Sequence, residues 1–199
     1  MSGPHDHPDH EHADHGHGRL PATDPACAVA HGEVPLPTDA RVLVAVFASP
    51  VAQYLLHFGR EAGFRTVLIE PDPARQGDAA GQLSEVCAEP AGELIGPDTD
   101  VVVTDHDRPE LGPVLRAVLA SKARWVGVMG SPRHTAPHMA ALAELGVPEA
   151  DIARVHRPIG LNIGSRTPAE IAISTLAGLI ADRNSRPGGF GFPSASPAG

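Results

Sequence analysis

Cysteine is scarce in this chain of 199 residues. Cys27 and Cys87 are too few for a disulfide framework or a four-cysteine zinc site. Neither has a basic neighbour in sequence that would activate a thiolate. Aromatic residues make up only 4%, so the core must be built from Val, Leu, Ile and Ala. No apolar run approaches the roughly 18 residues that would suggest a membrane span. The N-terminus is polar and histidine-rich rather than basic and then apolar, so no secretory leader is expected. Positive charge is also lacking. A net charge of −9 argues against nonspecific nucleic-acid binding, which needs a basic footprint. A soluble cytoplasmic protein is the expectation.

Glycine and proline, 21 of each, are abundant, and they gather at the ends and in loops. Residues 1–39 carry seven acids and one base. Six of the twelve histidines fall in the first 17 residues: His5, His7, His10, His12, His15 and His17. Asp6, Asp9, Glu11 and Asp14 alternate with them. This stretch has no apolar periodicity and is expected to be disordered, followed by a Pro/Ala/Thr-rich linker over 18–39. Spaced histidines could serve as a flexible ligand set for zinc or nickel; an incidental polar tail is the alternative. Residues 186–199 read as a second tail, which leaves 40–185 as the ordered unit.

Within that unit two periods alternate. Arg41–Ala48 is a near-continuous apolar run, as a strand buried on both faces requires. From Pro50 to Ala62, Val51, Leu55, Phe58 and Ala62 form one stripe of a helix that Gly63 stops. Strands are expected at Thr66–Ile69, Asp100–Thr104 and Arg124–Met129, with a short one near Val86. Leu111, Val114, Leu115, Val118 and Leu119 form a second helical stripe. A further helix is expected from about Pro132 or Thr135 to Leu145. Thr167, Pro168 and Glu170 make a capping box that opens the last one. Strand–helix alternation with apolar strands predicts an α/β, Rossmann-like, doubly wound parallel sheet as a single domain, binding ligands at the carboxyl ends of its strands.

The candidate site residues stand at those ends. The first strand leads into Phe47-Ala48-Ser49-Pro50, where a dinucleotide site would have G-x-G-x-x-G. Phe47 stands in place of the first glycine, with its side chain expected to occupy the turn, and Ser49 reads as an N-cap or a weakened phosphate contact. Glu70 ends the second strand, where a nicotinamide enzyme binds ribose; a solvated strand-end acid is the alternative. Asp105 and His106 follow the third long strand as a polar pocket or a plain loop. Gly130, Ser131 and Arg133 follow the next strand. Ser131 as a helix cap beside Arg133 would make an anion site. His134 and His138 lack a third metal ligand in sequence and read as solvated. The densest stretch, 155–170, combines His156, Gly160, Arg166 and Thr167 with Glu170; the alternative is that Arg166 and Glu170 only pair with each other or with neighbouring acids.

Four blocks carry a resemblance: Ala62-Gly63-Phe64-Arg65, Thr104-Asp105-His106-Asp107, Trp125 through Arg133, and the long stretch His156 through Ala172. Over about residues 40–185 the chain resembles the C-terminal Rossmann-like domain of the XdhC/CoxI family, the xanthine dehydrogenase accessory factors. The resemblance implies an accessory or chaperone role in maturing a molybdenum hydroxylase of the xanthine or CO dehydrogenase type, by binding rather than by turnover. It implies binding of molybdenum cofactor (molybdopterin), its protection during sulfuration and its delivery to an apo-enzyme. The implied partners are that apo-enzyme, a cysteine desulfurase and a separate protein carrying the family's N-terminal domain, for which residues 1–39 are no substitute. A homodimer is left open. Arg133, the helix start after Ser131, and Arg166 would suit the cofactor's anionic groups. Family members usually carry a Gly-Ala-Gly-His type turn after the first strand. Phe47-Ala48-Ser49-Pro50 departs from it, which counts against a nucleotide there and against the alternative of an NAD(P)-dependent oxidoreductase.

Overall fold

The computed structural model describes residues 28–29, 31–32, 41–80, 85–90, 93–130 and 136–188. The chain divides into two compact units, Met1–Pro37 and Thr38–Gly199, and the second holds the sheet. Among its described residues there are six strands: β1 (Val42–Val46), β2 (Arg65–Ile69), β3 (Val86–Cys87), β4 (Thr99–Val103), β5 (Trp125–Val128) and β6 (Val155–His156). Six described helices connect and cover them: α1 (Pro50–Glu61), α2 (Pro73–Ala80), α3 (Leu111–Leu119), α4 (Pro137–Glu144), α5 (Glu149–Ile152) and α6 (Pro168–Arg183).

The strand order is β3-β2-β1-β4-β5-β6, and every pairing is parallel. This is the doubly wound architecture expected from the alternation of strand and helix periods. Alternate side chains of each strand face opposite layers. Val44, Val46, Val101 and Val103 pack with Leu111, Leu115 and Leu142 of α3 and α4 on one face. Leu43, Ala45 and Val102 pack with Leu55 of α1 and Leu176 and Leu179 of α6 on the other. The chain order reverses between β1 and β4, so a crevice opens beyond their carboxyl ends.

Two expectations about helices change. The helix after β5 begins at Pro137, with Ala136 as its N-cap and no side-chain cap bond, rather than at Pro132 or Thr135. The segment 71–99, which shows no clear stripe, contains α2; its Ala, Gly and Asp residues carry no apolar face for periodicity to detect. Among the described residues no helix is long and apolar enough to cross a membrane.

Candidate functional site

A cavity of about 810 Å³ lies at the switch point. That is within the range of small-molecule sites. Its apolar wall is Val51, Met129, Pro158, Ile159, Leu161 and Ile171. Its polar groups come from Thr104, His106, Asn162, Ser165, Ser174 and Thr175. Gly130, Gly160 and Gly164 complete the described lining. Among these described residues there is no lysine, arginine, aspartate or glutamate, and His106 is the one ionisable side chain.

The loop after β6 builds half of this crevice, and α6 holds the loop in place. Ser174 Oγ donates to the Leu161 carbonyl at 2.6 Å, and Leu161 N–H donates to the Ser174 carbonyl at 3.1 Å. Gly160 has a φ of +87°, and a Cβ there would stand 2.6 Å from Ser174 Oγ and 3.2 Å from the Thr175 backbone nitrogen. Both conformation and contact therefore require glycine. On the opposite side, a Cβ on Gly130 would stand 2.6 Å from Arg157 Nη2, so the guanidinium lies directly behind the crevice wall.

Three of the candidates drawn from the sequence meet in the crevice: His106, Gly130 and Gly160. The others do different work. Ser49 caps α1, accepting from Ala52 N–H at 3.0 Å and donating to Thr104 Oγ1 at 3.0 Å. Thr104 Oγ1 in turn lies 2.8 Å from the Phe47 carbonyl. Asp105 accepts from Asp107 N–H at 3.1 Å in a local turn. His156 is exposed and stacks on Trp125 with ring centroids 5.0 Å apart. Thr167 makes the expected capping box with Glu170. Arg166 is exposed. The Glu170 carboxylate takes the backbone N–H of Arg166 at 2.7 Å and that of Thr167 at 3.1 Å. Those two bonds hold its pKa below the ordinary range. The anion site expected around Ser131 and Arg133 falls outside the described residues, as do His134 and the tail histidines His5, His7, His10, His12, His15 and His17. Among the described residues no group of three or more His, Cys, Asp or Glu could hold a metal.

Three readings are corrected. Glu70 is not a solvated acid but fully buried. Its carboxylate accepts from Ala48 N–H, Asp72 N–H and Arg108, an internal set of partners that leaves nothing for ribose. Phe47 does not fill the turn with its ring. It takes the left-handed backbone a glycine would take, at φ +72°, and its side chain is fully buried in the core. His138 is buried rather than solvated, with Nδ1 lacking a hydrogen-bond partner. Burial, with the charge of Arg157 added, pushes its pKa down.

Sequence reasoning missed Ser174, Thr175, Asn162 and Arg108. The first two had a signal: adjacent hydroxyls in the otherwise apolar run Ile171–Ile180. Arg108 had none, since its partner Glu70 lies 38 residues away.

A doubly wound parallel sheet with a loop-built crevice at its switch point defines a Rossmann-type domain. Comparison with known proteins narrows the class. The XdhC Rossmann domain matches residues 43–179, and the chain belongs to that family. It is 38% identical over 107 residues to the uncharacterized protein YqeB of Escherichia coli (strain K12), which is 53% of this chain and 19% of that protein. It is 30% identical over 93 residues to the molybdenum cofactor insertion chaperone PaoD of the same organism, 47% of this chain and 29% of that protein. The chain thus spans less than a third of the length of these relatives. A crystal structure described as a xanthine dehydrogenase from Bacillus halodurans superposes with a TM-score of 0.58 at 26% identity, covering 79% of this chain and 45% of that one.

Proposed function

We propose that this protein is an accessory factor for the maturation of a molybdenum hydroxylase, and that it holds the molybdenum cofactor in the crevice between β4, β5 and α6 before transfer to the apo-enzyme. The observation that carries this reading is the crevice itself. It is built largely from residues 158–171, within the longest block of resemblance to the family. A relative of this chain is a molybdenum cofactor insertion chaperone.

The described lining fits the heterocyclic part of such a cofactor. An apolar wall suits the face of a flat ring system, and Asn162, Ser165 and Thr175 offer hydrogen-bonding groups to its edges. The cofactor would supply the redox-active metal, which the recipient enzyme uses. This chain's own residues have a simpler task. Ile159 and Leu161 exclude water from the wall, Ser174 fixes the loop, and His106 offers a ring nitrogen for hydrogen bonding. None of them is asked to break a bond, so the role is retention and hand-over.

Deleting the gene should leave the client hydroxylase expressed but inactive and lacking its cofactor. A hydroxylase with full activity in the deletion strain would overturn the proposal.

A further inference from the structure

In a dinucleotide-binding sheet two features anchor the adenosine half. Backbone N–H groups of the β1–α1 turn meet the pyrophosphate, and an acid at the tip of β2 meets the ribose. In this protein those two features bind each other. Glu70 Oε2 accepts from Ala48 N–H at 2.7 Å and from Arg108 Nη1 at 3.3 Å. Oε1 accepts from Asp72 N–H at 2.9 Å and from Arg108 Nη2 at 3.0 Å. The carboxylate is fully buried and the Arg108 side chain is 8% exposed. A carboxylate has about four acceptor directions, and four donors reach this one.

Arg108 is itself fixed on two further sides. Its Nε lies 3.2 Å from Glu110 Oε2, and its guanidinium lies over the Phe47 ring, 4.9 Å from the centroid. Burial acts to lower the Arg108 pKa, but the bonds to Glu110 and Glu70 outweigh it and raise it. Glu70 therefore stands to the turn as a bound anion would: an acceptor for its amide, with a guanidinium as counter-charge. The crevice respects this boundary. Its described lining includes Val51 and Thr104 but none of residues 47–49 or 70–72.

We propose that the Glu70–Arg108 pair is a built-in plug that sets the ligand specificity of the crevice. It excludes molecules whose second half is joined through a diphosphate, and it confines the ligand to a mononucleotide-sized species between His106 and the 158–165 loop. The proposal rests on the crevice being the ligand site.

The test uses the full chain, with NADH followed by its own fluorescence and ADP-ribose followed by calorimetry. The wild-type protein should show no saturable binding of either at millimolar ligand. The double variant Glu70→Leu/Arg108→Met removes both charges and frees the Ala48 N–H. It should bind ADP-ribose at least about tenfold more tightly than wild type, the worth of one hydrogen bond to a charged group. Saturable NADH binding by wild type, or a folded double variant that binds no more tightly, would overturn the proposal. If the double variant does not fold, Glu70→Ala alone removes the carboxylate, frees the Ala48 N–H and leaves Arg108, still paired with Glu110, as a cation for a diphosphate. It should then show weak saturable ADP-ribose binding, and its absence would count equally against the plug. Either failure leaves the accessory role standing, because that role is read from hydroxylase activity in cells.

Discussion

At the scale of single residues, the crevice depends on positions where the side chain, or its absence, is dictated by contact. Gly160 is one. Gly160→Ala forces a Cβ against Ser174 and a residue with a side chain into left-handed backbone. It should cost about 1–3 kcal/mol of stability in urea unfolding and detach the loop from α6. An unchanged urea midpoint would show that the loop does not need this conformation. His138 is another. Its folded pKa is depressed, so as pH falls through about 6.5 the unfolded chain takes up a proton that the folded one refuses. The stability this residue contributes is present above that pH and is lost as pH falls toward the folded pKa. His138→Gln should therefore flatten the dependence of the urea midpoint between pH 7 and 5.5 relative to wild type. Identical slopes would contradict the assignment.

At the scale of elements, local signals and long-range pairing divided the work of folding. The capping box at Thr167 was fully legible because a cap is local: Thr167 accepts from Glu170 N–H at 3.2 Å, three residues away. Thr167→Ala should destabilise the protein by about 1 kcal/mol, readable as a lowered thermal midpoint; no change would mean that packing alone sets the start of α6. The apolar stripe of α3 was equally legible, since Leu111, Val114, Leu115, Val118 and Leu119 are all buried. By contrast β6 has two residues, too few for any period, and it exists because Val126 and Gly127 of β5 pair with it. The same limit explains the site. His106 and Gly130 could be placed at strand tips from the alternation, and Gly160 stood out in the dense stretch 155–170. The role of Glu70 could not, because a buried acid and a solvated one look alike in sequence until a distant arginine is brought to it.

At the scale of the whole molecule, α6 must be held from both ends for the crevice to keep its shape. Its first half carries the loop through Ser174. Its last turn is tied to the amino-terminal end of the central strand β4. Asp100, fully buried at the start of β4, accepts from Arg183 Nε and from Arg124 Nε at 2.6 Å each, and Arg124 also reaches Asp182 at 2.6 Å. Removing the shared anion leaves two guanidinium groups facing each other with little water. Asp100→Ala should cost about 3–5 kcal/mol in urea unfolding, and a loss below 1 kcal/mol would show that apolar packing alone holds the helix.

The most direct test of the central claim is mass analysis of the protein isolated from its own cells, alongside Asn162→Trp, which fills the crevice mouth from an exposed position. A phosphorylated pterin carried by wild type and absent from the variant is the predicted result. Equal amounts on both proteins, or none on the wild type, would contradict it.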